Sequence, residues 1–183
     1  MKIFLKVFLL AALLLTFPGM ASAQPEPTIE TDVFLKPGVD VSQFKTVGKD
    51  PSVSINPTYS WSVEKADPFL KQRIREILES SIKKQGFVFV DPVDADLRIK
   101  LMISQWGRFR NTNDINLMEY LDFEVRAYAV ASGELILRAT GKYSRVDPLE
   151  DSTVKINEAC ASLLEKILSS LRVKQEVPST SGK

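Results

Sequence analysis

Two stretches of the chain repeat apolar residues at helical spacing, and a third region between them alternates apolar with polar at every second position. Leu70, Ile74, Ile77, Leu78 and Ile82 form one stripe of an amphipathic helix. Asp67 is placed to cap its start and Pro68 to occupy the first helical position, where a missing N–H costs nothing. Lys83 and Lys84 suit the negative end of the helix dipole, and Gly86 predicts the stop. A second helix is predicted from about Ser152 to Leu171, capped by Asp151 or Ser152. Its stripe is Ile156, Cys160, Leu163, Leu164, Ile167, Leu168 and Leu171.

Between the helices Leu97, Ile99, Leu101 and Ile103 alternate with Arg98, Lys100, Met102 and Ser104. Leu121, Phe123, Val125, Ala127 and Ala129 do the same, as do Leu135, Leu137, Ala139 and Gly141. Such alternation predicts a sheet with one face on a core and the other in water. Ala131-Ser132-Gly133-Glu134 reads as a tight hairpin turn. Phe44–Lys49, Tyr59–Val63 and Phe87–Val90 are shorter strand candidates. Helices that each bury one stripe, and a sheet that buries one face, predict an α+β two-layer sandwich. The sheet is expected to be mostly antiparallel, with both helices on one face.

The ends of the chain change the picture of where this domain works. Two lysines, an apolar run from Val7 to Phe17, a Pro18-Gly19 break and Ala21-Ser22-Ala23 occur in the order of a cleavable secretory signal peptide. Residues 1–23 are therefore expected to be removed, with 24–40 a flexible leader, 41–173 a single α+β domain and 174–183 a flexible tail. The residue after the expected cut is Gln24 rather than cysteine, so a lipid anchor is not expected there and a periplasmic or secreted location is. No later apolar run is long enough to cross a membrane as a helix. Without the first 23 residues, 22 basic and 23 acidic side chains remain, a net charge of −1. That balance argues against nucleic acid as the main partner, since binding to phosphates needs clustered positive charge.

Tyr59-Ser60-Trp61, Asp67-Pro68, Gln85-Gly86-Phe87 and Asp94-Ala95-Asp96-Leu97, in that order, resemble a family of bacterial envelope proteins carrying a domain of unknown function. The similar stretch runs from about Phe44 to Leu171, and many members of the family are lipoproteins. This sequence departs from them at the missing lipid-attachment cysteine. The element order is also similar to that of the lipopolysaccharide-assembly lipoprotein and of the amino-terminal domain of the Tol-system propeller protein. The resemblance implies an envelope protein and brings no catalytic residues with it.

Chemistry is sparse. There is no histidine, which removes His-based triads and His-liganded zinc sites, and there is no glycine-rich phosphate loop. Cys160, the sole cysteine, falls inside the second helical stripe and is expected to be a buried hydrophobe. Asp91, Asp94 and Asp96 offer oxygens to calcium but lack the spacing of a calcium loop, and are expected to form a turn and a strand entry. No cofactor, metal or catalytic set is expected. The candidate partner-binding residues are Trp106, Arg108, Phe109 and Arg110. Continuing the polar phase of its strand, Trp106 should point away from the helices beside two arginines, the composition of interface hot spots. The expected function is a non-enzymatic, exported, envelope-associated binding or adaptor module whose partner is an envelope protein or component. The alternative is a carrier that holds a small apolar or lipid ligand between sheet and helices.

Overall fold

The computed structural model describes residues 26–55, 69–110, 117–146 and 152–172. Seven strands form one sheet: β1 (Thr28–Leu35), β2 (Thr46–Gly48), β3 (Ser52–Ile55), β4 (Val88–Val90), β5 (Leu97–Arg110), β6 (Leu117–Ala129) and β7 (Leu135–Val146). Among the described residues there are also two α-helices, α1 (Leu70–Lys84) and α2 (Ser152–Ser169), and a short 3-10 turn at Val41–Gln43. The sheet runs β1-β7-β6-β5-β2-β4, and β3 continues the line of β2 along β5. The pairs β1–β7, β7–β6 and β6–β5 are antiparallel. The short β2, β3 and β4 pair in parallel. The result is the α+β two-layer sandwich that the periodicity predicts.

Both helical stripes are buried. Ile74, Leu78 and Ile82 of α1, and Ile156, Cys160, Leu163, Leu164, Ile167 and Leu168 of α2, meet Leu97, Ile99, Leu101, Phe123, Val125 and Leu137 of the sheet in one core. Gly86 ends α1 at φ +76°, a backbone region that only glycine enters without cost, and its N–H donates to the Lys83 carbonyl. Gly133 takes φ +70° in the β6–β7 hairpin, which the Ala129 N–H closes on the Glu134 carbonyl. The α1 and α2 surfaces are tied by Lys84 Nζ to Glu165 Oε1 at 2.6 Å. Asp67, Pro68 and the strand candidate Tyr59–Val63 lie outside the described residues. The first described helix position is preceded by Phe69, whose carbonyl accepts from the Arg73 N–H and whose side chain makes no cap.

Two expectations need correction. Part of the leader expected to be flexible is strand β1, which pairs with β7 over its whole length from Thr28 to Leu35. As an edge strand it is held by main-chain bonds while most of its side chains stay exposed, so it carries no burial pattern to read. The second correction concerns β5, whose alternation does not run through to its end. Ile103 stands opposite Phe123 and Gln105 opposite Asp122, which leaves Ser104 as an extra residue in a β-bulge. The Ser104 hydroxyl donates to the Asp122 carbonyl at 3.0 Å. One inserted residue exchanges the two faces of everything after it.

Candidate functional site

The bulge builds the end of the sheet that the sequence singled out. Beyond it, Trp106 stands opposite Leu121, and Leu121 opposite Tyr143. All three are buried against the helices, Trp106 at 5% exposure. Trp106 therefore does not point away from the helix layer, as continued alternation would require. Its indole fills the core, because the bulge has inverted the phase. The side chains of Arg108, Phe109 and Arg110 lie outside the described residues, so only their strand register is at hand.

That register brings charges into one row. Glu119 stands between Arg108 on β5 and Arg145 on β7. Glu119 and Arg145 are both buried, at 1% and 8% exposure. Opposite charges that stand across from one another at that depth lower the cost that each would carry if buried alone. Burial pushes the Tyr143 hydroxyl above its ordinary pKa. The negative Glu119 raises it further, while Arg145, through its charge and a hydrogen bond, and Lys155 oppose the shift. Tyr143, Arg145 and Lys155 also line a groove of about 500 Å³ between the β1–β7 edge and α2, with Glu26, Ile29 and Glu158 among its other walls.

Other acids among the described residues have structural work. The Asp96 carboxylate accepts from the Lys45 N–H at 2.7 Å and the Thr46 N–H at 2.8 Å, and its own N–H donates to the Thr46 hydroxyl. This reciprocal clamp fastens β2 to the start of β5. The Lys45 N–H is the main cause holding the Asp96 carboxyl below the usual range. Asp91 pairs with Lys49 at 3.0 Å, and the Asp94 N–H closes the expected turn on the Asp91 carbonyl. Glu124, on the open face, would be raised by burial, but hydrogen bonds from Arg126 and Arg138 hold it below the ordinary carboxylate value. Among the described residues no three metal-ligating side chains come together. Cys160 is fully buried, and burial pushes its thiol up to about 12. The arrangement offers charge held in fixed places, and the one cysteine is held as a buried thiol.

Sequence reasoning missed the Glu119–Arg145 pair and the groove beside it. The available signal was phase: Glu119 continues the inward set of Leu121 and Phe123, and Arg145 that of Ala139 and Gly141, while Ser104-Gln105 ahead of Trp106 marks the broken alternation of β5.

No protein-family model matches the chain, and no curated protein does. Solved structures do share its fold. A PelC dodecamer from Paraburkholderia phytofirmans, a leucine-to-methionine variant, is similar at 17% identity and a TM-score of 0.52, over 81% of this chain and 100% of that one. A second PelC dodecamer from the same organism gives 15% identity, a TM-score of 0.51 and the same coverage. A DUF4136 family protein from Bacteroides thetaiotaomicron is similar at 12% identity and a TM-score of 0.46, over 78% of this chain and 95% of that one. Among the described residues no helix is long and apolar enough to cross a membrane, which leaves strand-built membrane proteins unaddressed.

Proposed function

We propose that this chain is a non-enzymatic, exported protein of the bacterial envelope that works as a binding or adaptor module. One observation carries the choice between module and carrier. A carrier needs a cavity of roughly 300 Å³ or more between sheet and helices. Such a cavity would admit water and leave its lining accessible. Leu78, Ile82, Leu97, Leu101, Phe123, Leu164 and Ile167, which face one another across the two layers, are all 0% exposed. A filled layer leaves binding to the surface.

Export is supported by the leader pattern of residues 1–23. The PelC dodecamers that share the fold support a role in contacts between chains. The test is to express the chain in a Gram-negative host and measure the intact mass of the exported product. Crosslinking in the envelope, followed by purification, then asks what it holds. The reading expects loss of residues 1–23, no added lipid and a discrete crosslinked partner. A product that keeps its leader in the cytosol, or one that is exported and crosslinks to nothing, contradicts it.

A further inference from the structure

We infer that the free edge of β1 is the docking surface, and that its occupant is an extended segment of a partner protein that alternates basic with β-branched residues. The inference rests on the module reading and names where the module binds. A sheet edge exposes a row of main-chain donors and acceptors that any added strand can pair with, and proteins normally blunt such edges. The two edges of this sheet are unlike. On the far side the described strands are staggered: β4 has three residues, β3 has four, and Ser104–Arg110 of β5 run on past β3. The β1 edge has eight, and no described strand pairs with its outer side.

The phase of β1 defines what it offers. The Lys36 N–H donates to the Ile136 carbonyl at 2.9 Å, and bonded pairs alternate along an antiparallel ladder. Glu30, Asp32 and Phe34 therefore spend their main-chain groups on β7, while Ile29, Thr31, Val33 and Leu35 turn theirs to the open edge. Three of the eight exposed large hydrophobic side chains among the described residues sit on this strand: Ile29, Val33 and Phe34. On the helix side the edge thus presents Ile29 and Val33. On the open face it presents Glu30 and Asp32, its only charges. Lys142 of β7 stands across from Glu30, but Asp32 faces the neutral Thr140.

Charge selects the occupant. A second copy pairing antiparallel, with equivalent faces aligned, keeps seven residues in register only when centred on Thr31 or on Asp32. The first sets Glu30 against Asp32 twice, and the second sets Asp32 against itself. Like charges directly opposite destabilise a strand pair. A segment with lysine or arginine opposite Glu30 and Asp32, and valine or isoleucine opposite Ile29 and Val33, satisfies the same edge.

The test uses the full exported chain and an eight-residue peptide alternating lysine with valine. Amide exchange at Ile29, Thr31 and Val33 should slow at least ~10-fold at saturating peptide, as these N–H groups enter a ladder. A glutamate–valine peptide should leave them unchanged. Thr31→Pro removes one outward N–H and no bond to β7, a position where an edge strand tolerates proline. It should abolish the protection. The double variant Glu30→Lys, Asp32→Lys keeps the main chain and should exchange the two peptides' behaviour, so a Thr31→Pro chain that fails to fold does not decide the matter. Equal protection by both peptides, or protection at Val88–Val90 instead, overturns the inference. So does a dimer of the wild-type chain that Thr31→Pro dissolves, since the occupant is then a second copy. An envelope partner crosslinked equally to wild type and Thr31→Pro overturns the edge but leaves the module reading intact. No partner with either, while the peptide still protects β1, sinks the module reading alone.

Discussion

The Phe123 ring occupies the space above Gly141, its cross-strand neighbour. A Cβ built on Gly141 would stand 2.4 Å from the ring's Cζ. Gly141→Ala should therefore destabilise the fold by about 1–3 kcal/mol in a chemical melt, although alanine is otherwise no worse in a strand. Trp106 gives a sharper contrast, because its two readings predict different numbers. A tryptophan on the surface could be truncated at little cost. Buried as it is, Trp106→Ala should cost about 3–5 kcal/mol. An unchanged melting curve would mean the indole is outside after all. Asp96 links residue chemistry to pH. Its carboxyl is depressed in the folded state, so the stabilisation it gives is present above the unfolded value of about 3.9 and is lost as pH falls through the lower folded one. Asp96→Asn should thus be less stable than wild type by a constant amount near neutrality, and the gap should close below about pH 4. Stability curves from pH 3 to 7 for both proteins check this. The Cys160 thiol, at about 12, holds almost no thiolate at neutral pH and is sealed in the core. Thiol reagent should reach it only after unfolding.

The long, two-faced elements were legible because each buries a stripe, and burial writes a period into the sequence. The α1 and α2 stripes, the first half of β5, β6, and β7 from Leu137 onward follow their apolar positions into the core, but an irregularity at the start of β7 buries Ile136 in place of the expected Leu135. What escaped did so for identifiable reasons. β1 is exposed on both faces along most of its length, so main-chain pairing holds it without asking for apolar side chains at alternate positions. β3 is four residues long, too short for a period to show, whereas the still shorter β2 and β4 fall inside the candidates Phe44–Lys49 and Phe87–Val90. The parallel pairing of β2 and β3 with β5 depends on how the chain returns through α1, which no local pattern records. The bulge at Ser104 is a single residue, yet it shapes the candidate site: it sends Trp106 inward and sets the register of Arg108 against Glu119, which β6 and β7 already pair with Arg145. Deleting Ser104 should restore simple alternation and turn Trp106 toward water. In a Trp61→Phe background, its emission should shift to the red and acrylamide should quench it more strongly.

For the whole molecule, the helices cover one face of the sheet and leave the other in water, with Arg126 and Arg138 gathered on Glu124 there. The described residues that meet between the layers are sealed from water, the β1 edge is one unbroken strand of eight residues, and the far side is staggered between β4, β3 and the end of β5. Under the proposed reading of an exported module that holds a partner, recognition falls on the periphery of the described fold. A photo-crosslinking residue in living cells tests that claim most directly. It is placed in turn at Phe34, on the long edge, and at Val93, a fully outward loop position at 83% exposure. The account predicts a discrete adduct with an envelope protein from position 34 and none from position 93. An exported chain that yields no adduct from position 34, or the same adducts from both positions, would contradict it.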